Sequence, residues 1–445
     1  MKQNEIIKIY GTDYKEMTKL LLERADLASE IPSPESLIGI KPNLVTPTPA
    51  EYGATTHPEI VAGIIEYLRE HGFPRMVILE SSWVGDVTAE AFECCGYNTL
   101  SEHYGVELWD LQKDSSHFVD CGSRYPGSEH GESGHAAFRA GDCRGQRIGS
   151  GRGESGHAVS RAGNSRTEEI LGTASSDHAV SRAGDSESMR LRVCDRVDEI
   201  DFLINVPVLK GHCQTKITCA LKNSKGLIPN SEKRRFHTMG LHRPIAYLGA
   251  VIHQDFIVVD HICGDLDFEE GGHPVVRNCI MAAKDPVLTD ALVCRMLQYD
   301  ISEVPYVGMA EALGAGRADP DAAHITTIER PEIADSGMAE EEKPDEPEGL
   351  RRHKVCDVQY AVEEVDACSA CYAMLVPALD RLREEGLLEK LREKIAIGQG
   401  YRGKQGKLGV GLCTSGFEYC IRGCPPSEEQ IYKELVMYIE SAENA

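Results

Sequence analysis

Three absences in the sequence each close off a class of protein. No apolar run approaches the roughly 20 residues that a membrane-spanning helix needs, so the chain reads as soluble, with no membrane partner. Residues 1–10 carry neither a continuous apolar segment nor a small-residue cleavage site, which argues against secretion and for a cytoplasmic protein. A basic excess is missing too. The formal net charge of -24 sets the chain against nucleic acid, because counterion release needs a basic face. What is there is 445 residues, long enough for two or three domains, with an ordinary globular 41% of hydrophobic residues.

Sixteen cysteines in a chain with no export signal imply a reducing compartment, where clustered thiols serve as ligands or catalysts more often than as disulfides. Four of them form a pattern: Cys368 and Cys371 as a C-x-x-C pair, then Cys413 and Cys424, the last followed by Pro425 and Pro426. A C-x-x-C places two sulfurs on one side of a tight turn, and a second group from a distant segment closes the cage. A Cys-Pro ending is a feature of bacterial ferredoxins, whereas zinc ribbons repeat C-x-x-C in both halves, so a [4Fe-4S] cluster is expected ahead of Zn. Cys420 is an alternative fourth ligand to Cys413. Such a cluster implies a redox partner such as ferredoxin.

Along the chain, short apolar runs alternate with amphipathic helices. Leu37 to Asn43, Met76 to Glu80 and Val106 to Leu111 read as strands, and Ile60, Val61, Ile64, Ile65 and Leu68 recur at helical spacing after a capping box of Thr56 and Glu59. Further strands are expected at Ile200 to Leu209 and Phe256 to Asp260, and helices after Asp285 and from Pro305. This order implies an α/β domain, mainly a parallel sheet with flanking helices, over residues 1–121 and 191–330. Residues 122–190 interrupt it with three related units, carrying His135, His157 and His178 and each followed by Arg-Ala-Gly; with so little to bury they read as a disordered insertion. Residues 331–365 are acidic and Pro-rich and read as a linker. Residues 366–445 form a small α+β Cys-rich module. In it, Gly398 to Gly403 matches G-x-G-x-x-G, but a strand-like run follows where a dinucleotide fingerprint would need a helix.

Lys41-Pro42-Asn43, Thr55-Thr56-His57-Pro58-Glu59, Leu209-Lys210-Gly211-His212, Lys222-Asn223-Ser224-Lys225-Gly226, Gly271-Gly272-His273-Pro274 and Lys284-Asp285-Pro286 resemble, in order, the landmarks of the DUF362 family. That resemblance implies a prokaryotic protein of unassigned activity, of a kind often associated with iron-sulfur domains. It names no reaction.

The chemistry must therefore come from the residues. Past the strand ending at Leu209 come Lys210, His212, Lys222, Asn223, Lys225, Lys233 and His237, and Lys41 with Asn43 falls at an equivalent strand end. In a parallel α/β sheet, ligands bind beyond the carboxyl ends of the strands, and cations gathered there suit a small anionic molecule. Lys222, His237 and His212 are the candidate catalytic groups, and Lys41, Asn43, Lys210 and Asn223 the candidate ligand-binding ones. The expected protein is an iron-sulfur oxidoreductase or electron carrier. Two alternatives stand beside it: a structural-zinc protein without redox activity, and an enzyme whose Lys222 and His237 resemble the lysine and histidine of lactate racemase, which holds a nickel-pincer nucleotide. The glycine-rich signature of that last family is missing here. His253, His261 and His273, near Asp260, Asp265, Asp267, Glu269 and Glu270, could bind a divalent metal, but their spacing is irregular. Cys213, Cys219, Cys263, Cys279 and Cys294 occur singly in apolar segments, where thiols act as small buried hydrophobes.

Overall fold

The computed structural model describes residues 1–121, 189–267, 274–328, 357–365, 367 and 369–443. The first domain opens with β1 (Glu5–Tyr10), α1 (Tyr14–Ala25), β2 (Ile38–Pro42), α2 (Pro58–Glu70), β3 (Met76–Glu80), α3 (Thr88–Cys94), α4 (Tyr97–Tyr104) and β4 (Glu107–Asp110). The strands β5 (Ser116–Asp120) and β6 (Arg190–Cys194) form an antiparallel ribbon on either side of residues 122–188. Then come β7 (Phe202–Val206), the hairpin β8 (Lys210–His212) and β9 (Lys216–Thr218), and helices α5 (Ala220–Asn223), α6 (Asn230–Met239) and α7 (His242–Val251). The domain ends with β10 (Phe256–His261), β11 (Cys279–Ala283), α8 (Pro286–Met296), α9 (Pro305–Ala312) and β12 (His324–Ile328).

Eight of these strands make one sheet, in the order β12, β1, β11, β10, β7, β2, β3, β4. All neighbours are parallel except where β11 runs against both β1 and β10. The sheet is therefore mixed as well as α/β, and the departure from a purely parallel pattern is local to β11. The central strands β2, β3 and β7 are buried along their whole length, as a sheet covered on both faces requires. One face packs α1, α2 and α4 through Leu21, Ile60, Ile64, Tyr97 and their neighbours; the other packs α7, α8 and α9 through Ile245, Leu248, Leu288, Ala291 and Val307. In α2 the side chains Ile60, Val61, Ile64, Ile65 and Leu68 are all fully buried, each contributing about 2 kcal/mol.

The entry to α2 differs from the expected capping box. His57 is the N-cap residue, and Thr56 turns inward: its Oγ1 accepts the Asn43 amide at 2.8 Å and donates to the Val206 carbonyl at 2.8 Å. The hydroxyl thus ties the ends of β2 and β7 together. The stretch after β7 also departs from the long strand expected to Leu209, because Pro207 cannot donate to the ladder and the chain turns into the hairpin.

The C-terminal module is a second, smaller sheet of four strands, β13 (Val362–Glu364), β14 (Ile395–Ile397), β15 (Leu408–Val410) and β16 (Tyr419–Ile421), parallel throughout. Helices α10 (Ser369–Glu384) and α11 (Glu428–Glu443) pack on it through Leu375, Leu379, Leu382, Ile431 and Leu435. Its first strand lies at the end of the acidic stretch. After Gly398 comes a short 3-10 turn and then β15, so the G-x-G-x-x-G match opens no α-helix. The repeat unit histidines His135, His157 and His178, the linker up to residue 356, and Cys368 lie outside the described residues. Among the described residues no helix is long and apolar enough to cross a membrane.

Candidate functional site

A cleft opens at the carboxyl edge of the large sheet, where Lys41 is the next-to-last residue of β2, Glu80 ends β3 and Lys210 follows β7. It offers about 60 Å³ of usable space within about 490 Å³ of void that runs out to solvent. Lys41, Lys210, Lys222, Lys225 and Lys233 line it with Asn43, Asn223 and His237; among the described residues Glu80 is the one carboxylate on its wall. The charge balance inside is therefore strongly positive in a chain that is acidic as a whole.

Each buried lysine is held by the chain. Lys41 Nζ bonds Glu80 Oε2 at 2.8 Å, the Pro42 carbonyl at 2.7 Å and Asn223 Oδ1 at 3.3 Å. Burial lowers its pKa, and the Glu80 carboxylate works against that loss of charge. Lys210 Nζ donates to the Ala54 carbonyl at 2.8 Å, and Lys222 Nζ to Thr218 Oγ1 at 3.0 Å. Lys233, which reaches in from α6, donates to the Ser81 carbonyl and hydroxyl at 2.5 and 2.6 Å and to the Ser82 carbonyl at 2.6 Å. Its pKa is pushed down to about 7. Burial is the main cause; Lys225 and Lys41 add to it, and Glu80 opposes it.

The floor is a chain of amides. Asn223 Nδ2 donates to Asn205 Oδ1 at 2.7 Å, and Asn205 Nδ2 donates to Gln254 Oε1 at 2.6 Å. The short helix that carries Lys222 and Asn223 is fixed at its start by Asp290, which accepts the amides of Ala220 and Leu221 at 2.7 and 3.2 Å. Gly226 lets the backbone pass over the Lys41–Glu80 pair: a Cβ there would meet Glu80 Oε1 at 1.9 Å and Lys41 Nζ at 2.5 Å.

The structure thus brings together Lys41, Asn43, Lys210, Lys222, Asn223 and His237 of the candidate residues. His212 is absent from the lining. Its Nδ1 accepts the amides of Gln214 and Thr215 at 3.0 and 2.9 Å and so shapes the hairpin turn. Glu80 and the Ser81–Ser82 carbonyls were not among the residues expected at the site, although a buried apolar strand ending on a carboxylate at a ligand-binding edge is a signal of such a role.

The hairpin leaves the cleft for the C-terminal module. Lys210 and Thr218, cross-strand partners, line the cleft at its open end. At the turn, Cys213 is packed into the apolar core of the module together with Cys371 and Tyr372. Gln214 Nε2 donates to the Ala367 carbonyl at 3.0 Å, next to position 368, and Lys216 Nζ bonds Gln359 Oε1 at 3.2 Å.

In the module, the cysteine-bearing segments follow the carboxyl ends of parallel strands: residue 368 and Cys371 come after β13, Cys413 after β15 and Cys424 after β16. Cys371 Sγ lies beside Gly411, where an added Cβ would stand 3.4 Å away. Gly411 and Leu412 donate to the Ile421 and Gly423 carbonyls, so the Cys413 and Cys424 segments run side by side. Cys420 sits within β16, its Sγ 3.5 Å from the Gly411 carbonyl and 3.5 Å from Thr414 Oγ1. Among the described residues no three His, Cys, Asp or Glu side chains gather as a metal site, and Cys368 is not one of those residues. A set of four thiols suits iron-sulfur and zinc alike by donor type.

The fold and cleft define an α/β protein with a buried cationic cleft at the carboxyl edge of a mixed sheet. The chain belongs to the family described as "Domain of unknown function (DUF362)", whose model matches residues 38–133 and 157–295. That match takes in every cleft residue and stops short of the C-terminal module. Over 147 residues the chain is 28% identical to thylakoid-associated protein sll1697 of Synechocystis sp., a stretch that is 31% of this chain and 44% of that protein. The chain thus spans less than half the length of this curated relative. No solved structure matches it.

Proposed function

We propose that this chain is a redox protein in which Cys368, Cys371, Cys413 and Cys424 hold a [4Fe-4S] cluster and the lysine cleft binds the small anion on which the chemistry is done. A cluster of this kind takes up and releases single electrons. The observation that carries the reading is the β8–β9 hairpin, whose base lines the cleft and whose turn is packed into the core of the cysteine module and bonded to Ala367. Three-residue arms span only about 10 Å, a short separation for two halves of one redox site. In the cleft, Lys210, Lys222 and Lys225 offer charge to a carboxylate or phosphate group, while the Lys41–Glu80 pair and the asparagine floor hold its wall rigid. An exchangeable electron donor such as ferredoxin would complete the system.

Iron and sulfide analysis of protein purified without oxygen, with electron paramagnetic resonance of the reduced form, tests the module. Stoichiometric iron and sulfide with a reduced-cluster signal is expected; a colourless protein holding stoichiometric zinc would overturn the cluster and favour the structural-metal alternative. Calorimetric titration with sulfate tests the cleft separately. Binding that disappears in Lys222→Ala is expected, with net proton uptake above neutral pH as the bound anion restores charge to Lys233; no binding by the folded wild-type protein removes the anion site.

A further inference from the structure

Away from the cleft, three side chains stand in hydrogen-bonded order around the end of β10: Asp260 within it, Cys263 just past it and His57 at the start of α2. Asp260 Oδ2 is 2.9 Å from His57 Nδ1 and accepts the His57 backbone amide at 2.8 Å. Its other oxygen, Oδ1, accepts the Ile262 amide at 3.1 Å, which fixes the carboxylate in place. On the far side of the imidazole, Nε2 lies 3.6 Å from Cys263 Sγ. All three residues are buried, and the Tyr14 ring packs edge-on against the imidazole with centroids 5.5 Å apart. Burial disfavours charge on His57, but the Asp260 carboxylate outweighs it, with help from Cys263, and lifts the pKa to about 11. Thiol, imidazole and carboxylate in this order are the arrangement that turns a cysteine into a nucleophile. None of the three lines the lysine cleft.

A second cysteine in the same part of the fold gives a built-in comparison. Cys95 is as deeply buried as Cys263, at 4% against 6% exposure, and its Sγ also bonds a carbonyl, that of Thr48 at 3.2 Å. Where Cys263 faces an imidazole, Cys95 Sγ faces the carbonyls of Thr46 and Thr48. Burial pushes its pKa up to about 11, which makes it a thiol held inert by its surroundings.

We infer that Cys263, served by His57 and oriented by Asp260, is a nucleophilic thiol that accepts acyl groups from activated esters or thioesters, forming a reactive centre distinct from the lysine cleft. A bond forms between Sγ and the acyl carbon while the bond from that carbon to the leaving oxygen or sulfur breaks. His57, kept protonated at neutral pH by Asp260, gives its Nε2 proton to the leaving atom and takes the thiol proton in its place, while Asp260 keeps the proton on Nδ1. No electrons change hands, so neither an oxidant nor a reductant is needed. The 3-10 turn Ala50–Tyr52 covers the sulfur, with the Ala50 carbonyl 3.4 Å from Sγ, and Gly53 at φ 85° ends that turn.

The test treats the full-length protein with p-nitrophenyl acetate and follows acetylation of each cysteine by mass spectrometry of the digest. Cys263 should acquire a hydroxylamine-labile acetyl group about 100-fold faster than Cys95, the range that acid-base assistance supplies. His57→Gln should remove that advantage while circular dichroism shows the fold retained. Equal rates at Cys263 and Cys95 in the wild-type protein would overturn the assignment without recourse to any variant, and so would an unchanged Cys263 rate in a folded His57→Gln protein.

Discussion

In the lysine cleft the chain itself supplies an acceptor for each deeply buried cation, from the Glu80 carboxylate to the Ser81 and Ser82 carbonyls. In the cysteine module the thiols ride on separate segments that share one sheet edge, and nothing among the described residues draws three ligands together. The first region is organised before any ligand arrives, as sites that bind by preorganised electrostatics must be. In the second, under the proposed cluster reading, the metal would bring the thiols together. Order in the cleft is a property of the fold; order among the thiols would be a property of what binds them.

The strongest way to break this contrast is to remove the cleft's internal partner. Glu80→Ala leaves Lys41 buried without its carboxylate and should cost about 3–5 kcal/mol in a urea unfolding curve. A near-zero cost would mean that the Lys41–Glu80 pair does not organise the cleft. The His57–Asp260 pair extends the same contrast to pH. With its folded pKa raised to about 11 from an unfolded value of about 6.5, the protonated His57 contributes stability that is complete below about pH 6.5 and is lost as pH rises through 11. The difference in unfolding free energy between wild type and His57→Gln should therefore shrink steadily across that window. Gly226→Ala should cost about 1–3 kcal/mol and weaken sulfate binding, since the new methyl must displace the Lys41–Glu80 pair. The smallest effect is expected at the junction of the two regions. Gln214→Ala removes the hydrogen bonds to the Ala367 carbonyl and the Glu364 carboxylate, about 1 kcal/mol, and should raise hydrogen exchange in the module's first strand while leaving β2 and β3 unchanged.

The elements that the sequence disclosed are those whose signal is local. Ile60 to Leu68 repeat at helical spacing and form α2, and Met76 to Glu80 form β3 with the bounds the apolar run predicts. The lysines were legible as a cluster because four of the five cleft lysines follow one another in the single segment Lys210 to Lys233 after β7. Glu80 was not, because a carboxylate closing a strand looks the same whether it meets water or a lysine 39 residues away. The thiol centre was further out of reach: His57 and Cys263 are 206 positions apart, and each alone resembles an ordinary buried residue. The misplaced capping box has the same origin, for Thr56 serves Val206, 150 residues on, rather than the helix beside it. His212 resembled a catalytic group because it stands among lysines, yet its ring nitrogen is occupied in closing a turn.

The β5–β6 ribbon bears on how this chain could have acquired its length. Asp120 and Arg190 are cross-strand partners, and the Cys121 amide donates to the Met189 carbonyl at 2.8 Å, so residues 122–188 leave and re-enter the fold at one doorway. A two-residue turn of the Asn-Gly kind could join the strands there. The described ends of that segment are thus held side by side, so that its length sets no distance between β5 and β6.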